Sequence, residues 1–117
     1  MIRAKFAQDP KTGALKMSVR GHANAGKKGE DLVCAAASIL AYTAAQDVTD
    51  LKNDGRLSKT PVLKMQSGRT MIEATATGDA FGELLHTLYI VQKGFVLLAA
   101  NNPKYVRVSP FKDVNDA

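Results

Sequence analysis

Two long stretches of this chain repeat their apolar side chains at steps of three and four, and each is preceded by two shorter stretches in which apolar and polar residues alternate. In the first long stretch Val33, Ala37, Leu40, Ala44, Val48 and Leu51 recur at helical spacing, which predicts a helix from Glu30 to about Lys52, stopped by Asn53-Asp54-Gly55. In the second, Phe81, Leu84, Leu88, Val91, Phe95 and Leu98 form a stripe that ends near Asn101-Asn102-Pro103. Ahead of the first helix, Ile2, Ala4 and Phe6 alternate with Arg3 and Lys5. Turn residues follow from Asp9 to Gly13, and Leu15, Met17 and Val19 then alternate with Lys16, Ser18 and Arg20. Ahead of the second helix, Val62 to Gln66 and Thr70 to Ala76 flank Ser67-Gly68-Arg69 as a second hairpin, with Ile72, Ala74 and Ala76 on one side. Tyr105 to Ser109 adds a last strand, so the predicted order is ββαββαβ.

Strands that alternate in this way bury one face only. The expected fold is therefore α/β, a two-layer sandwich whose mostly antiparallel sheet is covered on one face by both helices. The other face would be wet and would carry Arg3, Lys5, Lys16, Arg20, Lys64 and Arg107. The first helix has a further apolar row, Leu32, Ala36 and Ile39, wider than one sheet contact needs, which points to self-association. A length of 117 residues without a Pro-rich or Gly/Ser-rich linker fits one domain, residues 1–111, with a polar tail over 112–117. The lone cysteine, Cys34, cannot form an intramolecular disulfide, which fits a reducing cytoplasm. The opening residues lack the apolar core of a signal peptide, and the apolar runs elsewhere are expected to fall short of a membrane span.

The candidate chemistry centres on Cys34 and His22. Cys34 falls at the start of the first helix, where unpaired amides and the helix dipole favour an anion and so a nucleophilic thiolate. Taken by itself, a lone cysteine in an alanine-rich helix is more often a small packed residue; the neighbouring loop and His22 shift that balance. The glycine-rich loop Gly21 to Gly29 lacks an apolar period and should be mobile, letting a substrate backbone approach and tethering His22 near the sulfur as a base. The second histidine, His86, sits among Glu83, Leu84, Leu85 and Leu88 on the second helix and reads as structural. Asp31, Cys34 and Ser38 share one helical stripe; Asp31 fits either a cap on the first turn or a group orienting His22. One cysteine and two distant histidines give no zinc-ligand spacing, and Gly26-Lys27-Lys28-Gly29 lacks the spacing of a nucleotide-phosphate loop. No metal and no cofactor is expected.

The pairing of Gly21-His22-Ala23 with Gly29-Glu30-Asp31-Leu32-Val33-Cys34-Ala35-Ala36 resembles the ribosomal-processing cysteine protease family, Prp, over nearly the whole chain. The resemblance implies a homodimeric cytoplasmic endopeptidase that removes a short N-terminal extension from a large-subunit ribosomal protein and so supports ribosome assembly. It implies a catalytic dyad of His22 and Cys34, with supporting positions at Gly21, Gly29, Asp31 and Ser38. The segment Asn24-Ala25-Gly26-Lys27-Lys28 is more basic than the family's usual loop. In the free protein His22 and Cys34 are expected to stand too far apart for a hydrogen bond, and amides at the helix start are expected to hold the oxyanion.

The competing reading is a non-catalytic ribosome- or RNA-associated module that uses the basic sheet face, with Cys34 as packing. An excess of sixteen Lys and Arg over eleven Asp and Glu, giving +5, allows a nucleic-acid partner but does not require one. A ribosomal-protein substrate would itself be basic, so its recognition should rest on short extended-peptide pockets rather than long-range attraction.

Overall fold

The computed structural model describes residues 1–27 and 29–113. Lys28 of the glycine-rich loop and 114–117 of the expected tail lie outside the described residues. The alternating segments form strands β1 (Ile2–Gln8), β2 (Leu15–Arg20), β3 (Val62–Gln66), β4 (Arg69–Ala74) and β5 (Val106–Val108). The two helices are α1 (Leu32–Asn53) and α2 (Gly78–Asn101). In the sheet the strands lie in the order β3-β4-β2-β1-β5, antiparallel except where β5 returns beside β1 in parallel.

The predicted order gains one element. Lys112 and Asp113, the first two residues of the expected polar tail, form a short strand β6 (Lys112–Asp113) parallel to β1, opposite Ala7 and Gln8. The Gln8 side-chain amide donates to Asp113 Oδ1 at 2.9 Å, and Phe111 packs its ring against Phe6 and Tyr89. A polar pair without apolar alternation is held here by backbone pairing and by its aromatic neighbour. β4 also stops two residues short of the predicted end, and Ala76 makes an isolated bridge with Leu57 instead.

Both helices lie on one face of the sheet, and the core fills the space between the layers. Phe6, Leu15, Met17 and Ile72 point up from the strands to meet Val48, Leu84, Leu88 and Phe95. α1 buries Val33, Ala37, Ala41, Ala44, Val48 and Leu51; Ala41 takes the central place expected of Leu40, which lies half-buried. Either helix is long and apolar enough to cross a bilayer by length and mean hydropathy, against the expectation of runs too short to span. In the fold, the apolar stripe of each is spent on covering the sheet.

Phe95 is fully buried and meets Phe6 edge to face, with ring centroids 6.2 Å apart. Truncating it removes a large contact between the layers. Phe95→Ala should cost about 3–5 kcal/mol of unfolding free energy, read from the shift of a urea denaturation midpoint.

Candidate active site

β2 ends at Arg20, and the chain turns on Gly21, whose φ of +97° and tight approach to Met1 exclude a side chain: a Cβ there would collide with the Met1 carbonyl oxygen. The Gly21 N–H donates to the Gly68 carbonyl at 2.9 Å, tying the turn to the β3–β4 hairpin. His22 is thereby delivered to the surface beside that hairpin, its ring lying over Gly68 so closely that a Cβ on Gly68 would strike Nε2. Ala23 then dips into the core at 3% exposure, and Asn24 takes a left-handed φ of 56° to lift the chain out again. The segment expected to be a mobile loop is thus anchored at its first and third residues, Gly21 and Ala23.

Cys34 is the third residue of α1 and is half-buried. Its Sγ accepts a hydrogen bond from the Ala23 N–H at 3.4 Å, so the residue after His22 is held against the sulfur. Asp31 is the helix cap. Its backbone is extended (φ −81°, ψ 104°), and Oδ1 accepts from the N–H groups of Val33 and Cys34, each at 3.0 Å. The other oxygen, Oδ2, reaches across to accept the Ala25 N–H at 2.9 Å. These amides, that of Cys34 foremost and then those of Ala25 and Val33, hold the Asp31 carboxyl below the usual carboxylate value against an opposing effect of desolvation. The helix starts at Leu32 rather than at Glu30 because Asp31 caps it from outside. Of its two expected roles, the carboxylate fills that of cap, with both oxygens engaged by backbone amides.

That engagement narrows one expectation. Three amides at the helix start do not stand open for an oxyanion, because Val33 and Cys34 donate to Asp31 Oδ1 and Ala35 donates to the Asp31 carbonyl at 3.0 Å. The backbone donor aimed at the sulfur comes from the loop instead, at Ala23.

A cleft of about 720 Å³ opens between the first turns of α1 and the β3–β4 hairpin. His22, Cys34, Asp31, Ser38, Gly21 and Gly29 all line it. Loop and helix spacing pointed to His22, Asp31, Cys34 and Ser38, and the family resemblance added the glycines as supporting positions; neither pointed to Tyr42, one turn beyond Ser38, or to the hairpin wall from Met65 to Thr70. Nothing local marks a hairpin as a cleft wall, since its place depends on β4 pairing with β2. Among the described residues the His22 imidazole makes no hydrogen bond, and the other histidine, His86, lies exposed on α2 and away from the cleft.

A two-layer α/β domain that places one thiol at a helix start, beside a histidine-bearing loop and in an open cleft, has the layout of a small thiol hydrolase. The family model for cysteine protease Prp matches residues 1–107, and the chain belongs to that family. Among solved structures, it is similar to an essential ribosomal processing protease Prp from S. aureus in complex with a covalently linked product peptide, at 22% identity and a TM-score of 0.70. That match covers 96% of this chain and 100% of the other. It is similar as well to SMU.848 from Streptococcus mutans, at 24% identity and a TM-score of 0.65, covering 97% of this chain and 95% of that one. The S. aureus protease in complex with a substrate peptide matches at 19% identity and a TM-score of 0.65, over 96% and 100% of the two chains. A search of curated proteins gives no match.

Because its carboxyl binds protons less readily in the folded chain, Asp31 contributes stability that is fully present above the ordinary value of 3.8 and fades as pH falls through the lower folded value. Asp31→Ala should therefore melt below the wild-type chain at neutral pH. The gap between the two should close as the pH is lowered beneath 3.8, followed by circular dichroism.

Proposed function

We propose that this protease removes a short N-terminal extension from a large-subunit ribosomal protein, in the cytoplasm, with Cys34 as nucleophile and His22 as its acid–base partner. The observation that carries the reading is the single thiol at the start of α1, sharing its cleft with the histidine of the neighbouring loop. The ribosomal substrate is supported by the processing role stated for the S. aureus protease of the same fold.

In the proposed reaction Cys34 Sγ attacks the carbonyl carbon of the scissile peptide bond while His22 takes the thiol proton. Collapse of the tetrahedral intermediate breaks the C–N bond, and His22 returns the proton to the leaving amine. The remaining thioester is hydrolysed by water, again with His22 as base, which regenerates the thiol and frees the acid. The ring rests over Gly68 in the structure, so this sequence requires it to swing across the cleft toward Sγ. The short tether from Gly21 gives it that freedom.

The outer faces of the helices support a homodimer. Leu32 (83% exposed) and Ile39 (63%) on α1, with Val96 and Leu97 on α2, leave large apolar side chains in water; two of the three residues of the row predicted from sequence are among them, with Ala36 half-buried between. Light scattering at micromolar concentration should return twice the chain mass, and Ile39→Glu should return the single mass.

Incubation with N-terminally extended ribosomal-protein peptides, read by mass spectrometry, should yield one cut at the extension boundary. Cys34→Ala should lower turnover by on the order of 10⁴-fold or more while the domain stays folded, and His22→Ala should leave peptide binding while removing turnover. A Cys34→Ala chain that still cuts would overturn the assignment.

A further inference from the structure

The face of the sheet turned away from the helices carries a feature that peptide cleavage does not use. Reading the register across the strands, Arg107 lies beside Arg3, Arg3 beside Arg20, and Arg20 beside Arg69. Each is exposed, and each alternates with a residue that points inward, so all four side chains stand on the uncovered face. Sequence patterning found three of them; Arg69 joins the row only through the pairing of β4 with β2. The next row holds Lys5 and Lys64, with Ser18 and Met71 between them, and the third holds Lys16, paired to Glu73 at 3.9 Å. Among the described residues of these strands on that face, Glu73 is the one acid.

Like charges placed directly opposite one another in neighbouring strands destabilise a sheet. Three such arginine pairs in succession, with no carboxylate set among them, go beyond what a solvated face requires. We propose that this face docks duplex RNA through its phosphates, with Arg3, Arg20, Arg69 and Arg107 as the central row. Neighbouring strands lie about 4.8 Å apart, so the row spans roughly 14 Å of open, helix-free surface. These strands put no Phe or Tyr on that face, which leaves single-stranded bases without a stacking platform and directs recognition to the backbone. An RNA duplex presents phosphates across a wide, shallow minor groove that suits a flat partner, whereas the DNA major groove is entered by a protruding helix or ribbon. The preference for RNA over DNA also rests on the ribosomal reading above. The row meets the cleft at one end, where Arg20 precedes Gly21 and Arg69 belongs to both the row and the cleft wall, while Arg3 and Arg107 stand clear of the cleft lining.

The test is fluorescence anisotropy of a labelled RNA duplex titrated with the full chain, beside an equal titration against phosphatidylglycerol vesicles. Saturable binding at about 50 mM salt should weaken roughly a hundredfold by about 200 mM, as expected for about four phosphate contacts. Arg3→Gln combined with Arg107→Gln should weaken binding and lower the salt slope by nearly two, while cleavage of a short peptide is unchanged. Lys52→Gln combined with Lys93→Gln, which removes the same charge from the helix side, should leave duplex binding as it was. Equal loss in both double variants would reduce the effect to net charge and overturn the proposal, as would binding to the vesicles in place of the duplex. If the arginine variant does not fold, the wild-type slope decides alone, and a slope near zero overturns it. The same titration on Cys34→Ala separates this outcome from the protease reading, which fails only on cleavage.

Discussion

One carboxylate joins the two parts of the site. Asp31 accepts the amides of Val33 and Cys34 with one oxygen and that of Ala25 with the other, so the same side chain starts α1 and fastens the loop that carries His22. Helix capping and site assembly are therefore one event. A chain that fails to cap α1 also lets go of the loop, and the thiol and the imidazole lose their common frame. The Ala23 N–H bond to Sγ is the second tie, and it holds because the Ala23 methyl is buried in the core. Core packing thus reaches the Cys34 sulfur through a single residue.

The layers and most strand positions were legible in the chain because each depends on a local period: two for the strands, three to four for the helices. That the six candidate residues are neighbours was legible as well, partly from the loop and helix start they flank and partly from the family resemblance, and they do line one cleft. What was not legible depends on distant pairing. Lys112 and Asp113 carry no strand signal of their own and become β6 because β1 offers them a free length of edge beyond β5. The hairpin wall at Met65 to Thr70 and the fourth arginine both follow from β4 lying beside β2, a choice that no window of sequence contains. Ala23 looked like loop because one alanine among glycines and lysines has no period; its burial follows from where the turn at Gly21 aims it.

The two faces of the molecule divide its polarity sharply. The helix side exposes Leu32, Ile39 and Leu97, and the sheet side exposes the arginine row, although the whole chain carries a net charge of only +5. Composition averages these faces and so suggests an ordinary, mildly basic protein. It is the period-two alternation, combined with strand register, that turns a small excess of charge into one surface.

The distribution of amides around Cys34 bears on how a resting site becomes a working one. At the start of α1 the Val33 and Cys34 amides are occupied by Asp31, a strong acceptor that a neutral carbonyl cannot displace. The Ala23 amide differs, because its acceptor is the sulfur proposed as nucleophile. In the proposed reaction the sulfur gives up electron density as the C–S bond forms, and negative charge gathers on the adjacent oxygen. A donor already directed at the sulfur needs only a small turn of the loop to follow that charge. The same turn would move His22, its immediate neighbour, off Gly68 and toward the thiol. Loop and imidazole are therefore coupled by chain connectivity, and the left-handed Asn24 on one side and the glycine hinge at Gly21 on the other are where such a rotation would be absorbed.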